Sequence, residues 1–256
     1  ALGVPVSQIT IVGADTDVTP DAGKTSASRQ TFVTGNAARL AGEALRAQIL
    51  RLGNGGEEAQ IDAGDGLSLV EDGVTRRIAL PDTEGYALEV VESYDPPTLP
   101  LDENGQGSPY AVFGTAAQMV ELEVDMELGT VKLLKFTAAH DVGKAINPLL
   151  VEGQIEGGIA QGLGLALMEE FIPGRTENLH DYLIPTIGDV PEIASIIIES
   201  GDMHGPYGAK GLGEHCLIPT APAVLNAIAH ASGARIHHLP ATPDTVRAAI
   251  LAKGTA

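Results

Sequence analysis

Alternating apolar and polar residues predict several strands. Residues 119–126 read Met-Val-Glu-Leu-Glu-Val-Asp-Met, and residues 131–136 resume the alternation after Leu128-Gly129, so this stretch is predicted to form a β-hairpin. The second strand of the hairpin leads directly to His140 and Asp141. Further strands are predicted at residues 6–12, 74–80 and 193–198.

Apolar residues at helical spacing predict four helices, at residues 35–52, 151–170, 220–232 and 243–252. Gly53 to Gly56 mark the end of the first helix. Residues 13–30 form a polar loop, and residues 94–108, rich in proline, acids and glycine, are expected to be an exposed connection. Strands and helices interleave without a βαβ repeat, which favours an α+β fold with mixed sheets and packed helices.

Composition narrows the classes of function. With a formal net charge of −19 and only 15 Lys and Arg, the chain is not expected to bind nucleic acid, because phosphate neutralisation needs clustered cations. No apolar run approaches the roughly 18 residues of a membrane span, so a cytoplasmic location is expected. A chain that begins at Ala1 is expected to be a fragment or one subunit of a split enzyme. The one cysteine, Cys216, excludes a disulfide or a four-thiolate cluster within this chain.

A first candidate site lies in residues 23–30, Gly-Lys-Thr-Ser-Ala-Ser-Arg-Gln. Hydroxyl groups, backbone N–H groups and a guanidinium next to a helix start can hold a phosphate. The spacing is not that of a Walker A loop. An ordinary capped loop explains the same residues, so both interpretations stay open.

A second candidate is the predicted helix that contains Glu152-Gly-Gln-Ile-Glu-Gly-Gly-Ile-Ala-Gln-Gly-Leu-Gly164. Each glycine inside a helix costs about 1 kcal/mol relative to alanine, so a compensating contact is expected. Gln154 and Gln161 lie on one face with Gly158 between them, and that face could approach a flat polar ligand. A tightly crossed helix pair is the alternative explanation.

The third candidate is the loop Gly205-Pro-Tyr-Gly-Ala-Lys-Gly-Leu-Gly-Glu214. Its glycines let the backbone curl around a ligand and present Glu214 as a general base. A solvated acid near a helix start is the alternative. His140-Asp141 and His237-His238 do not have the spacing of a helical zinc pair, so they do not by themselves indicate a metal site.

Three separated segments of the chain together resemble the molybdenum hydroxylases, the family of xanthine dehydrogenase and aldehyde oxidase. They are residues 141–148 (DVGKAINP), residues 152–164 and residues 208–214 (GAKGLGE). The similarity extends from about Ala1 to the terminal helix at Pro243-Asp-Thr-Val246, which is nearly the whole chain, and assigns residues 1–256 to one cofactor-binding region. It implies the α+β fold of that family's molybdopterin-binding domain, in two intertwined subdomains at the C-terminal end of the large subunit, with the N-terminal half of that subunit absent.

The resemblance also implies a cofactor and a chemistry. The family binds molybdenum through a molybdopterin, here expected in its cytosine dinucleotide form, and the protein supplies no direct metal ligand. Glu214 matches the base, which would take the proton of Mo–OH as that oxygen attacks the substrate carbon and hydride passes to Mo=S. The cofactor contacts are expected at the loop, strand-end and helix positions Ser26, Ala27, Ser28, Arg29, Gln30, His140, Asp141, Gly143, Gln154, Lys210 and Gly213.

Partners and substrate follow from the same resemblance. The substrate is expected to be a small molecule, namely an N-heteroaromatic compound, a purine or an aldehyde. Electrons would leave through [2Fe–2S] clusters and FAD on partner chains or domains, so an iron–sulfur subunit, a flavoprotein subunit and the missing N-terminal half are expected partners. This chain is expected to be inactive alone. A carbon monoxide dehydrogenase-like enzyme and a non-catalytic carrier of the cofactor are the alternatives.

Overall fold

The computed structural model describes residues 1–254 and divides into two compact units. The first unit comprises residues 1–26 and 30–107, and the second comprises residues 27–29 and the chain from Ser108 onward. No helix among the described residues has the length and apolar character that crossing a bilayer would require.

In the first unit a long helix accompanies a small antiparallel sheet. Helix α1 (Gln30–Leu52) is followed by β1 (Gln60–Asp62), β2 (Ser68–Glu71) and β3 (Val74–Arg77), in the sheet order β1-β2-β3. The core of this unit is formed by Ile49 of α1 together with Ile61, Leu69 and Ile78. Strands β1 and β2 were not predicted, because they are only three and four residues long and lie in a stretch rich in acids and glycine.

Two predictions in the first unit need correction. The strand expected at residues 6–12 is absent, and a 3-10 turn, Val6–Gln8, takes its place. Val6 and Ile11 are 80% and 84% exposed, so the apolar side chains of this segment do not pack against a core that would stabilise a strand. Helix α1 begins at Gln30 rather than Gly35. Phe32 is buried and makes an edge-on contact with Tyr94, which stabilises a first turn that the periodicity did not reveal.

The second unit is a three-stranded sheet covered by helices. Strands β4 (Ala116–Val124) and β5 (Val131–Asp141) form the predicted antiparallel hairpin, and β6 (Glu192–Ile198) pairs with β5 in parallel. Phe136, at the middle of β5, pairs with Val120 on one side and Ile193 on the other. The mixed sheet and packed helices confirm the predicted α+β fold.

Helix α2 (Pro148–Leu167) connects the parallel strands β5 and β6. Asn147 caps its start by accepting a hydrogen bond from Leu150 N, and Pro148 occupies the first turn, where no N–H is needed. A short helix α3 (Gly213–Leu217), α4 (Thr220–Ser232) and α5 (Pro243–Gly254) complete the unit. The core between the sheet and the helices includes Phe136, Ile155, Ile159, Leu163, Val224, Ile228 and Val246.

Candidate functional site

A cavity of about 560 Å³ lies within the second unit where three segments meet. The segments are the turn at residue 28, one face of α2 and the start of α3. The cavity is lined by Ser28, Gln154, Gly157, Gly158, Gln161, Gly213, Glu214, Leu217 and Ile218. Its volume is within the usual range for small-molecule and cofactor sites.

Glu214 lies at this cavity because the turn at Ser28 and the glycine loop hold each other. The backbone N–H of Glu214 donates to Ser28 Oγ at 2.8 Å, across 186 residues of sequence. A Cβ added at Gly211 would lie 2.4 Å from Ser28 O, so only glycine permits this approach. The Glu214 side chain is exposed and forms no ion pair within the described part of the chain. Its carboxylate is therefore able to accept a proton from a ligand bound in the cavity.

The glycines of α2 serve two different surfaces. A Cβ added at Gly158 would lie 2.5 Å from Cys216 Cβ, and one at Gly162 would lie 2.5 Å from Thr220 Cβ, so these two glycines let α2 cross closely under α3 and α4. Gly153 and Gly157 have no neighbouring atom within 4 Å of an added Cβ, and Gly157 lines the cavity beside Gln154. The close helix crossing therefore accounts for Gly158 and Gly162, while Gly157 and Gly158 both line the cavity and the ligand-binding face stays a prediction.

Asp141 and Lys210 form a buried ion pair behind the glycine loop. Lys210 Nζ donates to Asp141 Oδ2 at 2.7 Å and to Phe113 O at 3.0 Å. Ser200 and Gly143 N also donate to the Asp141 carboxylate. Burial opposes ionisation of Asp141, but the hydrogen bonds from Lys210, Gly143 and Ser200 outweigh it and lower its pKa to about 2. The pair fixes the end of β5 to the loop that carries Glu214.

Gly143 completes this attachment. Its φ of +68° is in the left-handed region, and a Cβ there would lie 2.2 Å from Gly208 O. Lys210 N donates to Val142 O at 2.9 Å, so the strand end and the loop run side by side through backbone contacts. Residues 141–143 and 208–210 are thus one interlocked structural element.

The structure brings only some of the predicted site residues to the cavity. Ser28, Gln154, Gly213 and Glu214 line it. Asp141, Gly143 and Lys210 hold the loop in place, and His140 is buried in β5. Ala27 and Arg29 are exposed beside Ser28, while Ser26 and Gln30 belong to the first unit, where Gln30 Nε2 donates to Thr25 Oγ1.

Of the other cavity residues, Gly158 and Gln161 lie on the helix face that the sequence analysis singled out, whereas Gly157, Leu217 and Ile218 were not predicted. The α2 residues follow Gln154 at helical spacing, so the face that contains Gln154 and Gln161 was the available signal. Leu217 and Ile218 follow Glu214 by one helical turn, and an apolar pair in that position carries no comparable signal.

Comparisons with known proteins agree on one family. The family model described as the molybdopterin cofactor-binding domain matches residues 1–191. A putative xanthine dehydrogenase molybdenum-binding subunit of Escherichia coli is 34% identical over 261 residues, which cover 94% of this chain and 33% of that protein. An aldehyde oxidoreductase of Megalodesulfovibrio gigas is 32% identical over 257 residues, which cover 98% of this chain and 26% of that protein. This chain therefore spans about a third or less of the length of these curated relatives.

Solved structures show the same fold. The aldehyde oxidoreductase of Desulfovibrio desulfuricans matches 90% of this chain and 24% of that chain, with a TM-score of 0.74 and 33% identity. Quinoline 2-oxidoreductase of Pseudomonas putida matches 98% of this chain and 33% of that chain, with a TM-score of 0.75 and 29% identity. A Cu,Mo-CO dehydrogenase is 22% identical, and that likeness shows the fold alone.

Proposed function

Because the chain belongs to the molybdopterin cofactor-binding family, we propose that its cavity forms part of the cofactor and substrate site of a molybdenum hydroxylase, with Glu214 as general base. The observation that carries the proposal is the convergence of Ser28, Gln154 and Glu214, which are far apart in sequence, on one cavity. The substrate class would be an N-heteroaromatic compound, a purine or an aldehyde, hydroxylated with oxygen from water.

The donor set of the cavity suits an organic cofactor that brings its own metal ligands. Its lining residues contain no histidine or cysteine, and the one carboxylate among them is that of Glu214. Two carboxamides and a hydroxyl, at Gln154, Gln161 and Ser28, can hydrogen-bond the polar edge of a flat ring. The bare backbone at Gly157 leaves room for that ring to lie close to α2. These residues therefore fit a pterin.

When bound, the molybdenum cofactor supplies the oxygen-transfer and two-electron redox chemistry of the reaction. The chain's own contribution is to place a proton acceptor there. Ser28 holds the backbone of Glu214 in place through the 2.8 Å hydrogen bond, and the Asp141–Lys210 pair holds the preceding loop. A base positioned in this way would remove a proton as the attacking oxygen bonds to the substrate carbon, without first having to reorganise.

The remaining family expectations belong to the same proposal. Arg29 and Gln30, next to Ser28 in sequence, are proposed to contact the phosphates of the cofactor, in its cytosine dinucleotide form. Iron–sulfur and flavin centres would reside on partner chains or domains and accept the electrons. One relative is named a molybdenum-binding subunit and another the gamma subunit of a dehydrogenase complex, and these names support a place in a multi-subunit complex. The whole enzyme would also need segments of the molybdenum subunit outside this chain.

Substitution of Glu214 by glutamine in the assembled enzyme tests the base directly. We expect Glu214→Gln to leave the molybdenum content near normal and to lower kcat by at least about 100-fold, since a carboxamide keeps the size of the side chain but accepts no proton. The measurement is single-turnover kinetics together with metal analysis. Glu156→Gln, an exposed acid on α2 that does not line the cavity, is the matched control and should retain full turnover.

Retained turnover in Glu214→Gln would refute the assigned base, because the reaction would then proceed without this carboxylate. A loss of molybdenum that parallels the loss of turnover would instead assign Glu214 to cofactor binding.

A further inference from the structure

Behind the cavity, three side chains with metal-binding atoms lie together. They are His140 at the end of β5 and His215 and Cys216 in α3, and one ring nitrogen of each histidine and the Cys216 sulfur all lie within 4.8 Å of one another. The two imidazole rings meet edge to face with centroids 5.1 Å apart. His140 and Cys216 are fully buried. Sequence spacing could not reveal this group, because His140 is distant from the other two residues along the chain.

Several polar atoms of the cluster have no partner. His140 Nδ1 and both ring nitrogens of His215 are buried without a hydrogen bond to any residue that the structure describes. The Cys216 thiol reaches only the Leu212 carbonyl, at 3.5 Å. A buried nitrogen without a partner costs about 1–3 kcal/mol, so three of them together require an explanation. Coordination of a metal ion through one nitrogen of each ring would satisfy two of them.

We propose that His140, His215 and Cys216 form a three-ligand site for a soft or borderline transition-metal ion, separate from the molybdenum cofactor. Imidazole nitrogen and thiolate sulfur are the ligands that Cu⁺ and Zn²⁺ share. None of these three side chains is among the residues that line the cavity, whereas Glu214 is. The proposal is independent of the base assigned to Glu214.

The geometry needs only a small contraction. Metal bonds of about 2.0 Å to nitrogen and about 2.3 Å to sulfur keep the ligand atoms within about 4 Å of one another. The largest separation is 4.8 Å. His215 is half-buried as a residue, whereas His140 and Cys216 are fully buried. A Cβ at Gly114 would lie 3.1 Å from the His215 ring, so a larger residue there would press on the ring.

Charge favours Cu⁺ among the candidates. The Cys216 side chain is fully buried, where a thiolate without a cation beside it would be costly, so the metal-free side chain is the thiol with its proton. On binding, the thiol releases that proton to solvent and the sulfur electron pair bonds to the metal. Cu⁺ with one thiolate and two neutral imidazoles has no net charge, which limits the cost of burial, whereas Zn²⁺ would leave one positive charge and one ligand position unfilled. The nearby charges of Asp141 and Lys210 compensate each other as an ion pair.

Gln118 sets the tautomer of His140 in the protein without a metal. Its side-chain oxygen accepts from Thr220, and its nitrogen donates to Cys216 O at 2.8 Å and lies 3.2 Å from His140 Nε2. A neutral His140 with this partner holds its proton on Nδ1. Coordination through Nδ1 moves that proton to Nε2, so metal binding requires the amide group of Gln118 to turn away from the ring.

The test uses the purified assembled enzyme, first stripped of weakly held metal by a chelator and then titrated separately with Cu⁺ and with Zn²⁺. We expect one tightly held Cu⁺ per chain by elemental analysis. X-ray absorption at the copper edge should show two nitrogen neighbours at about 2.0 Å and one sulfur neighbour at about 2.3 Å. Cys216→Ser and His215→Asn should each abolish tight binding. Tight Zn²⁺ binding that depends on the same residues would support the site and assign zinc as its metal.

His237→Ala and His238→Ala are matched controls, because these exposed histidines lie outside the cluster, and they should retain the ion. Circular dichroism and molybdenum content of each variant establish that the enzyme remains folded and loaded. The proposal is overturned if neither ion binds tightly to the folded enzyme, or if a bound ion persists in the folded Cys216→Ser variant. The copper spectrum reports on this site whatever Glu214→Gln does to turnover.

Discussion

Asp141 and Lys210 occupy a buried position that neither charge could occupy alone. Their side chains are 7% and 10% exposed, and the carboxylate gains further hydrogen bonds from Ser200 and the Gly143 backbone. A buried ion pair contributes little net stability compared with a pair of apolar residues. Replacing only one of its two charged side chains is costly, because the other charge is left buried without a partner. The value of the pair in this molecule is that it holds one geometry of the loop before Glu214.

Lys210→Met should therefore destabilise the protein by about 3–5 kcal/mol, because it leaves the Asp141 carboxylate buried without its countercharge. The double variant Lys210→Met/Asp141→Asn should recover part of this loss, since a neutral amide is cheaper to bury. Denaturant unfolding of the three proteins measures the coupling. Lys144→Met is the control: its partner Glu199 is 40% exposed, so about 0–1 kcal/mol is expected. Equal effects of the two lysine substitutions would contradict a buried pair.

At the scale of the element, α2 has one helix face for packing and another for the cavity. Gly158 and Gly162 are contact points with α3 and α4, whereas Gly153 and Gly157 face open space. The same residue type thus has opposite consequences for stability on two sides of one helix.

Gly158→Ala should destabilise the protein by about 1–3 kcal/mol, because the new methyl group would lie 2.5 Å from Cys216 Cβ and force α3 outward. Gly153→Ala should stabilise it by about 0.5–1 kcal/mol through helix propensity alone. Thermal unfolding of the two variants compares them directly. If both substitutions were stabilising, the close crossing of α2 and α3 would be wrong.

Helices and strands with long periodic patterns were predictable from the sequence. Strands that depend on pairing with another part of the chain were not. Helix α4 has its predicted bounds, and the β4–β5 hairpin lies where it was predicted, because turn residues and apolar spacing are local signals. The ends of the strands differ, since β4 is Ala116–Val124 and β5 continues to Asp141. Strands β1 and β2 are too short for a pattern, and residues 6–12 have the pattern of a strand but no partner. Tertiary pairing decided these cases.

The candidate site divides in the same way. Gln154 and Glu214 lie in segments that resemble a known family, and Ser28 lies in the polar loop 23–30 that the sequence analysis singled out for its hydroxyl groups. The structure places all three at one cavity. The spacing of His140 and Asp141 along the chain did not indicate a metal site. The contact of His140 with His215 depends on the strand end meeting α3, a relation that no local spacing encodes.

At the scale of the whole molecule, the partial length of the chain has a functional consequence. Its curated relatives are about three times longer, and 33% of the xanthine dehydrogenase subunit is matched. The cavity is bounded by only three segments of the second unit and its most prominent acid, Glu214, is exposed. A reactive site that must exclude water needs further walls, so we infer that other segments of the subunit supply them.

This inference predicts a clear difference between two preparations. The chain expressed alone should fold but hold little molybdenum and turn over neither an aldehyde nor a purine. The chain produced together with the remaining molybdenum-subunit segments and an iron–sulfur partner should hold about one molybdenum per chain and reduce an artificial electron acceptor. Metal analysis and steady-state assays compare the two, with circular dichroism to establish that the isolated chain is folded. Full molybdenum loading and turnover by the isolated chain would show that the three segments are sufficient, because no other part of the protein would then be needed to close the cavity over the cofactor and bring Glu214 to the substrate.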